Sequence, residues 1–347
     1  MRVLVTGVAG HIGSRLAQAL EGEPSVNEVI GLDLKAPSAQ GSKLRFLQRD
    51  VSAPFPAAMA EAGIDAAVHL AFVLDPGHDE ARIRRVNIEG TRSFLAFCEA
   101  ARVAHILYLS STAVYGARPD NPPLLTEEMH PRPREGPSHC VGALALRLRS
   151  GQARAGWVSK EDFFYSRDKA ASEAMFGGYA ARHPEAAVTI LRACPVLGPA
   201  TGNAIAYLAR QPLLPRVAGH DPPMQFLHEE DLVAALLLCL GKRPAGVYNL
   251  AGEGAMPYSE VARILGKRTA PVPFWLLYPL VGLLWGLRLA DGPPSGLAFI
   301  RYPWVAATDK LAREVGFTPR YSSREALLAF ARERGSAKVG ESVVDTL

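Results

Sequence analysis

Residues 3–17, VLVTGVAGHIGSRLA, pass from a strand-length apolar run through Gly7, Gly10 and Gly13 straight into a helix-periodic segment. Few folds accept that order. A strand that ends in a glycine-spaced turn and opens a helix starts a β-α-β unit, whose next strand lies parallel to the first. Each glycine has its own expected use. Gly7 permits the tight turn, Gly10 lets backbone approach a pyrophosphate, and Gly13 lets the helix pack on the strand. The helix start, with His11 and Ile12, offers free N–H groups to phosphate oxygens.

The alternation continues along the chain. Apolar runs of strand length recur at residues 29–32, 44–47, 66–70, 105–109 and 188–191, with helical patterns between them at 88–101 and 166–181, the latter weakened by Gly177 and Gly178. This predicts a Rossmann-type, doubly wound parallel sheet with helices on both faces. Past Arg192, Pro- and Gly-rich connections separate short helices such as 231–240, and a strand at 248–250 is expected to return to the sheet. The expected organisation is a dinucleotide-binding domain over residues 1–193, rejoined by 226–250. A smaller, mostly helical substrate lobe takes 194–225 and 251–335, and residues 336–347 form a flexible tail.

Two segments depart from the scheme. Residues 132–162 lack periodicity and read as an insertion, either an ornamental loop or a lid. Residues 273–290, PFWLLYPLVGLLWGLRLA, are of borderline length for a bilayer span and are interrupted by Pro279 and Arg288. Burial inside the second lobe is the expected reading, and an interfacial helix the alternative.

Composition narrows the function. The net charge of +4 is spread without a Lys/Arg block, which disfavours nucleic acid. Cys98, Cys140, Cys194 and Cys239 stand far apart, so reduced thiols are expected and a metal site is not. The apolar run at the N-terminus is too short for a signal peptide, which leaves a cytoplasmic enzyme as the expectation.

Asp33 lies twenty positions after Gly13, at the end of the second strand in VIGLDLK. A carboxylate there accepts from both hydroxyls of an adenosine ribose and repels a 2′-phosphate, favouring NAD over NADP, although Lys35 stands close by. Tyr165 and Lys169 in YSRDK are four apart and share one helix face. A phenol is a poor base at neutral pH, and a neighbouring ammonium is expected to lower its pKa so that it exchanges a proton with a carbinol. Ser110 and Ser111 end the strand HILYLSS, where open parallel sheets present catalytic groups, and Ser111 is the candidate partner of the substrate oxygen.

The strings TGVAGHIGS, RDVS, HLAF, VNIEGT, LSSTAVYG, YSRDKAASE, LRACPVLGP, QFLHEEDLVAAL and VYNLAGEG follow one another in that order. Together they resemble the extended short-chain dehydrogenases/reductases of the NAD-dependent epimerase/dehydratase kind, and are similar to UDP-glucose 4-epimerases. The resemblance implies that Asp50 and Val51 flank the adenine and that Leu70, Ala71 and Phe72 lie under the middle of the cofactor. It implies further that Asn87 completes a tetrad with Ser111, Tyr165 and Lys169, that Lys169 also binds the nicotinamide ribose, and that the chain pairs into a homodimer through two long helices.

The substrate side departs from that pattern. Pro195 stands where sugar-nucleotide epimerases usually carry a phosphate-contacting Asn, and Met224 where they carry an Arg; Thr112 is a further candidate at the substrate. Losing both removes charge-assisted hydrogen bonds to a diphosphate, unless Arg210, Arg216, Arg243 or Arg268 replaces them. Three readings follow: a sugar-nucleotide epimerase, a dehydrogenase of an apolar, sterol-like or isoprenoid alcohol, and a non-catalytic NAD-binding regulator.

Overall fold

Seven strands, all parallel, form the central sheet: β1 (Arg2–Thr6), β2 (Glu28–Asp33), β3 (Leu44–Gln48), β4 (Ala66–His69), β5 (His105–Ser111), β6 (Ala187–Ala193) and β7 (Gly246–Leu250). They lie in the order β7-β6-β5-β4-β1-β2-β3. The computed structural model describes residues 1–38, 41–74, 78–131, 163–199, 204–290 and 292–334. The expected insertion at 132–162, Cys140 within it, and the expected tail at 336–347 lie outside the described residues.

The sheet follows from the sequence pattern. Val3, Leu4 and Val5 are all fully buried, as a strand covered by helices on both faces requires. Winding reverses between β1 and β4, so the crevice at their carboxyl ends is where a doubly wound sheet receives its ligand. The strand expected at 248–250 begins at Gly246 and pairs with β6.

Helices α1 (His11–Glu21), α2 (Gly90–Ala100), α3 (Phe164–Arg182) and α4 (Glu229–Lys242) cover the sheet. The helix expected over 88–101 is shorter than its pattern, because Arg85–Glu89 forms a π-helical turn ahead of α2. α3 runs unbroken through Gly177 and Gly178. The roughly 1 kcal/mol that each costs relative to alanine is offset by burial of Phe176 and Tyr179 on either side of them.

The second lobe holds a parallel pair, Leu213–Val217 with Arg268–Val272, over a core that includes Phe226, Tyr258, Trp304 and Phe330. One expectation fails here. Residues 273–290 are not buried in this lobe: they form α5 (Phe274–Gly286), of which only Leu277 is buried, and Trp275 is 76% exposed. α5 rests against Val217 and Leu297 through Leu277, with its remaining residues half-buried or exposed. Cys98, Cys194 and Cys239 are free and buried.

Candidate active site

The glycine turn is held by geometry that admits no side chain. Gly7 has φ +73°, and a Cβ there would sit 2.6 Å from the Ala71 nitrogen; at Gly13 it would sit 2.0 Å from the Gly7 carbonyl oxygen. Gly10 precedes α1 in extended conformation, and the first turn of that helix carries no acidic residue of its own. Asp33 closes the far side: its Oδ2 accepts from Ala9 N–H at 3.0 Å and its Oδ1 from Leu34 N–H at 2.7 Å. A carboxylate has about four lone-pair sites; Lys35 N–H also donates to Oδ1 at 3.4 Å, so one site remains, on Oδ2, for a ribose hydroxyl. This cradle, which a single Cβ would fill, fits a dinucleotide. Asp33→Ser is expected to weaken NAD binding by about tenfold to a hundredfold while admitting NADP, read by parallel fluorescence titrations with NADH and NADPH.

Asp50 lies beyond β3. Hydrogen bonds from the Ser52 backbone N–H and hydroxyl hold its carboxyl below the usual range, against the opposing effect of partial burial. Neighbouring Val51 is buried against Gly90, where a Cβ would meet its Cγ1 at 2.7 Å.

At the end of β4, His69 organises residues that the sequence did not mark. Its Nδ1 and the Thr6 hydroxyl are 2.8 Å apart, and its Nε2 and the Thr91 hydroxyl 3.3 Å. Thr91 donates its only proton to the Asn87 carbonyl at 2.7 Å, so His69 carries its own proton on Nε2 and accepts from Thr6. Burial, reinforced by the charge on Lys169, pushes its pKa down to about 3, and the ring stays neutral. The chain of bonds fixes the π-helical turn, a feature frequent at functional sites. Asn87 then ties two walls together: its Oδ1 accepts from Val73 N–H at 2.8 Å, and its Nδ2 donates to the Val73 carbonyl and to Asp168, both at 3.3 Å. Its side chain thus ties Val73 to α3, the helix that carries Tyr165 and Lys169.

Tyr165 and Lys169 stand on α3 below the end of β5, with the Ser111 side chain beside the Tyr165 hydroxyl. The expected acidification of the phenol by Lys169 is not what the geometry delivers. Burial pushes the Tyr165 pKa up to about 12, and the opposing pull comes from Ser111. Lys169 points elsewhere: its Nζ donates to the Leu109 carbonyl at 2.6 Å and lies 3.8 Å from the centre of the Phe72 ring, against 5.9 Å for Tyr165. Burial lowers its pKa to about 7, opposed by the Glu173 carboxylate. A cation seated on a carbonyl and an aromatic face is satisfied without the phenolate, and that is why the pair does not polarise as the spacing alone suggests.

Ser110 is engaged away from the substrate oxygen's candidate partner, Ser111. It donates to Glu173 at 2.8 Å, inside a buried polar network that the sequence did not reveal. Glu173 pairs with Arg192; Arg192 donates to the Tyr115 hydroxyl at 2.7 Å, and Tyr115 to Asn249 at 2.7 Å. The network pins α3, and Lys169 with it, to β5, β6 and β7. A second unmarked residue is Glu229, 1% exposed at the start of α4 and paired with both His11 and Arg15 of α1. Its acidic run reads locally as favourable charge at a helix N-terminus; only the fold shows that it clamps α1 beside the glycine turn.

The substrate candidates scatter. Thr112 is buried beside Ser111, its hydroxyl unpaired among the described residues. Pro195 is half-buried, with its carbonyl accepting from Leu227 N–H. Met224 is 3% exposed and packs in the second lobe's core, paired across strands with Met256. Of the arginines considered for a diphosphate, Arg243 follows α4 and is felt by His105 at the amino edge of β5, the wrong end of the sheet. The surroundings of Tyr165 are aromatic: Phe72 at 5.9 Å and Phe163 at 6.2 Å between ring centres, with Phe299 at 5.7 Å from Phe163.

The doubly wound sheet and the glycine cradle with Asp33 define a dinucleotide-binding fold of the Rossmann class. Residues 3–139 match the model of the NAD dependent epimerase/dehydratase family. An uncharacterized protein of Mycobacterium tuberculosis is 27% identical over 341 residues, covering 96% of this chain and 84% of that protein. The D-erythronate dehydrogenase of Cupriavidus necator is 32% identical over 178 residues, covering 46% of this chain and 52% of that one. The same fold occurs in the structure of MoeE5 with UDP-glucuronic acid and NAD, which has a TM-score of 0.70 and 24% identity and covers 97% of this chain and 100% of that one.

Proposed function

We propose that this enzyme transfers a hydride between NAD(H) and a carbinol carbon or its ketone, with Tyr165 as proton donor and acceptor. The observation that carries the reading is the placement of the Tyr165 hydroxyl beside Ser111 at the carboxyl edge of β5, on the crevice that the glycine turn opens. When bound, the nicotinamide supplies the hydride acceptor or donor. Ser111 and Tyr165 hold the substrate oxygen, and the proton passes between that oxygen and the phenol. With burial raising its pKa to about 12, Tyr165 keeps its proton at neutral pH, which favours its work as an acid in carbonyl reduction. Lys169, with donors left over after Leu109, fits the nicotinamide ribose.

A sugar-nucleotide epimerase is the reading closest to the family resemblance. The geometry favours the other class, an apolar alcohol or ketone. Aromatic rings frame Tyr165, and position 224, where a diphosphate clamp is usual, is a methionine sealed in a hydrophobic core. A non-catalytic regulator would have no use for the Ser111–Tyr165 pair. The enzyme incubated with NAD and a panel of apolar secondary alcohols is expected to form NADH stoichiometrically. Conversion of UDP-glucose to UDP-galactose without net NADH would instead return the substrate to the sugar nucleotides.

A further inference from the structure

α5 is apolar around its whole circumference, yet it is buried along one line only. Its thirteen residues, FWLLYPLVGLLWG, include no charged side chain. Phe274, Leu277, Tyr278 and Val281 turn inward onto Val217, Leu297 and Ile300. Leu276, Leu280, Leu283 and Leu287 recur at helical spacing on the other side, with Trp275 next to them, and Leu283 is 61% exposed and Leu289 72%. An all-round apolar helix is normally enclosed by protein or by lipid, and a patch of this extent on a water-facing surface marks an interaction site.

Charge identifies the partner. The Arg301 guanidinium lies 3.9 Å from the centre of the Phe274 ring at the amino end of α5, and exposed Arg288 follows its carboxyl end. Residues 265–290 contain Lys267, Arg268 and Arg288 and not one Asp or Glu. Arg288 takes a left-handed conformation, φ +60°, a position usually given to glycine, and it stands between exposed Leu287 and Leu289. An anionic lipid surface complements both features: headgroups take the arginines, and the acyl boundary takes the leucines and Trp275. The helix is too short to cross. Thirteen residues span about 20 Å against a hydrocarbon core of about 30 Å, so it lies in the plane of the interface.

We propose that α5 seats the enzyme on anionic membrane surfaces as an interfacial anchor. The anchor adjoins the candidate site: the Trp285 ring stacks on His78 at 4.0 Å, in the segment that follows Phe72, and α5 packs on the 3-10 turn Pro294–Ile300 that carries Phe299. This inference holds whichever substrate class is correct.

The test is sedimentation of the full-length enzyme with phosphatidylcholine vesicles, with and without phosphatidylglycerol. Binding is expected with the anionic lipid and to weaken as salt is raised. Trp275→Glu with Leu283→Glu should reduce the bound fraction at least about tenfold, and Arg288→Glu alone about fivefold. NADH binding, none of whose candidate residues lies on α5, serves as the folding control for every variant. Absence of sedimentation with either vesicle, or sedimentation unchanged in the Trp275/Leu283 variant, overturns the proposal. So does a soluble dimer that the same substitutions dissociate, because the face would then belong to a second copy.

Discussion

Tyr165→Phe is expected to lower kcat by about 10²- to 10⁴-fold, the usual worth of a positioned acid or base, while leaving NADH affinity within about twofold. The hydroxyl lies beside Ser111 at the crevice, and removing it deletes the proposed proton route without touching the glycine turn or Asp33. Single-turnover reduction with bound NADH separates this from a binding defect, since only the chemical step should slow. Retention of more than a tenth of the activity would mean that another acid serves the substrate oxygen and that the proposed chemistry is wrong.

The second large effect falls on stability. Glu173→Gln leaves Arg192 buried beside a neutral amide and is expected to cost about 3–5 kcal/mol of unfolding free energy, measured by urea denaturation. Arg192→Met should cost a similar amount, because it strands the carboxylate instead. Replacing both, Glu173→Leu with Arg192→Met, should cost clearly less than the two losses added, since no charge is then left unpaired. A surface pair would behave differently, with each change worth about 1 kcal/mol or less. Glu173→Gln has a functional consequence as well: the carboxylate opposes the fall in the Lys169 pKa, so its loss pushes that group below about 7. Both variants therefore test whether this network places Lys169 or only packs beside it.

The glycine spacing, Asp33 and the YSRDK helix are legible in the sequence because each is a local property. A turn that needs φ +73° at Gly7, a contact that excludes a Cβ at Gly13, and two side chains on one helix face depend on neighbours within a few residues. Glu173 and Arg192, Glu229 with His11 and Arg15, and the His69–Thr91–Asn87 chain are not legible. Their partners stand far apart along the chain, and nothing in a buried acid's own neighbourhood announces which cation will neutralise it. The two expectations that fail do so for this reason. Burial of residues 273–290 rests on hydropathy, which measures what a segment prefers and not whether the lobe has room for it. Acidification of Tyr165 rests on a four-residue spacing, which brings two side chains to one face but does not aim an ammonium away from a carbonyl and an aromatic ring.

The sequence by itself determined the order of strands and helices, the dinucleotide turn, and the identity of the groups able to exchange a proton, because periodicity and backbone sterics act over short range. The tertiary structure decided the protonation of those groups, the clamps that hold them, and the apolar helix left outside. Each of these depends on how much water and which distant charge reach a side chain, and only packing sets that.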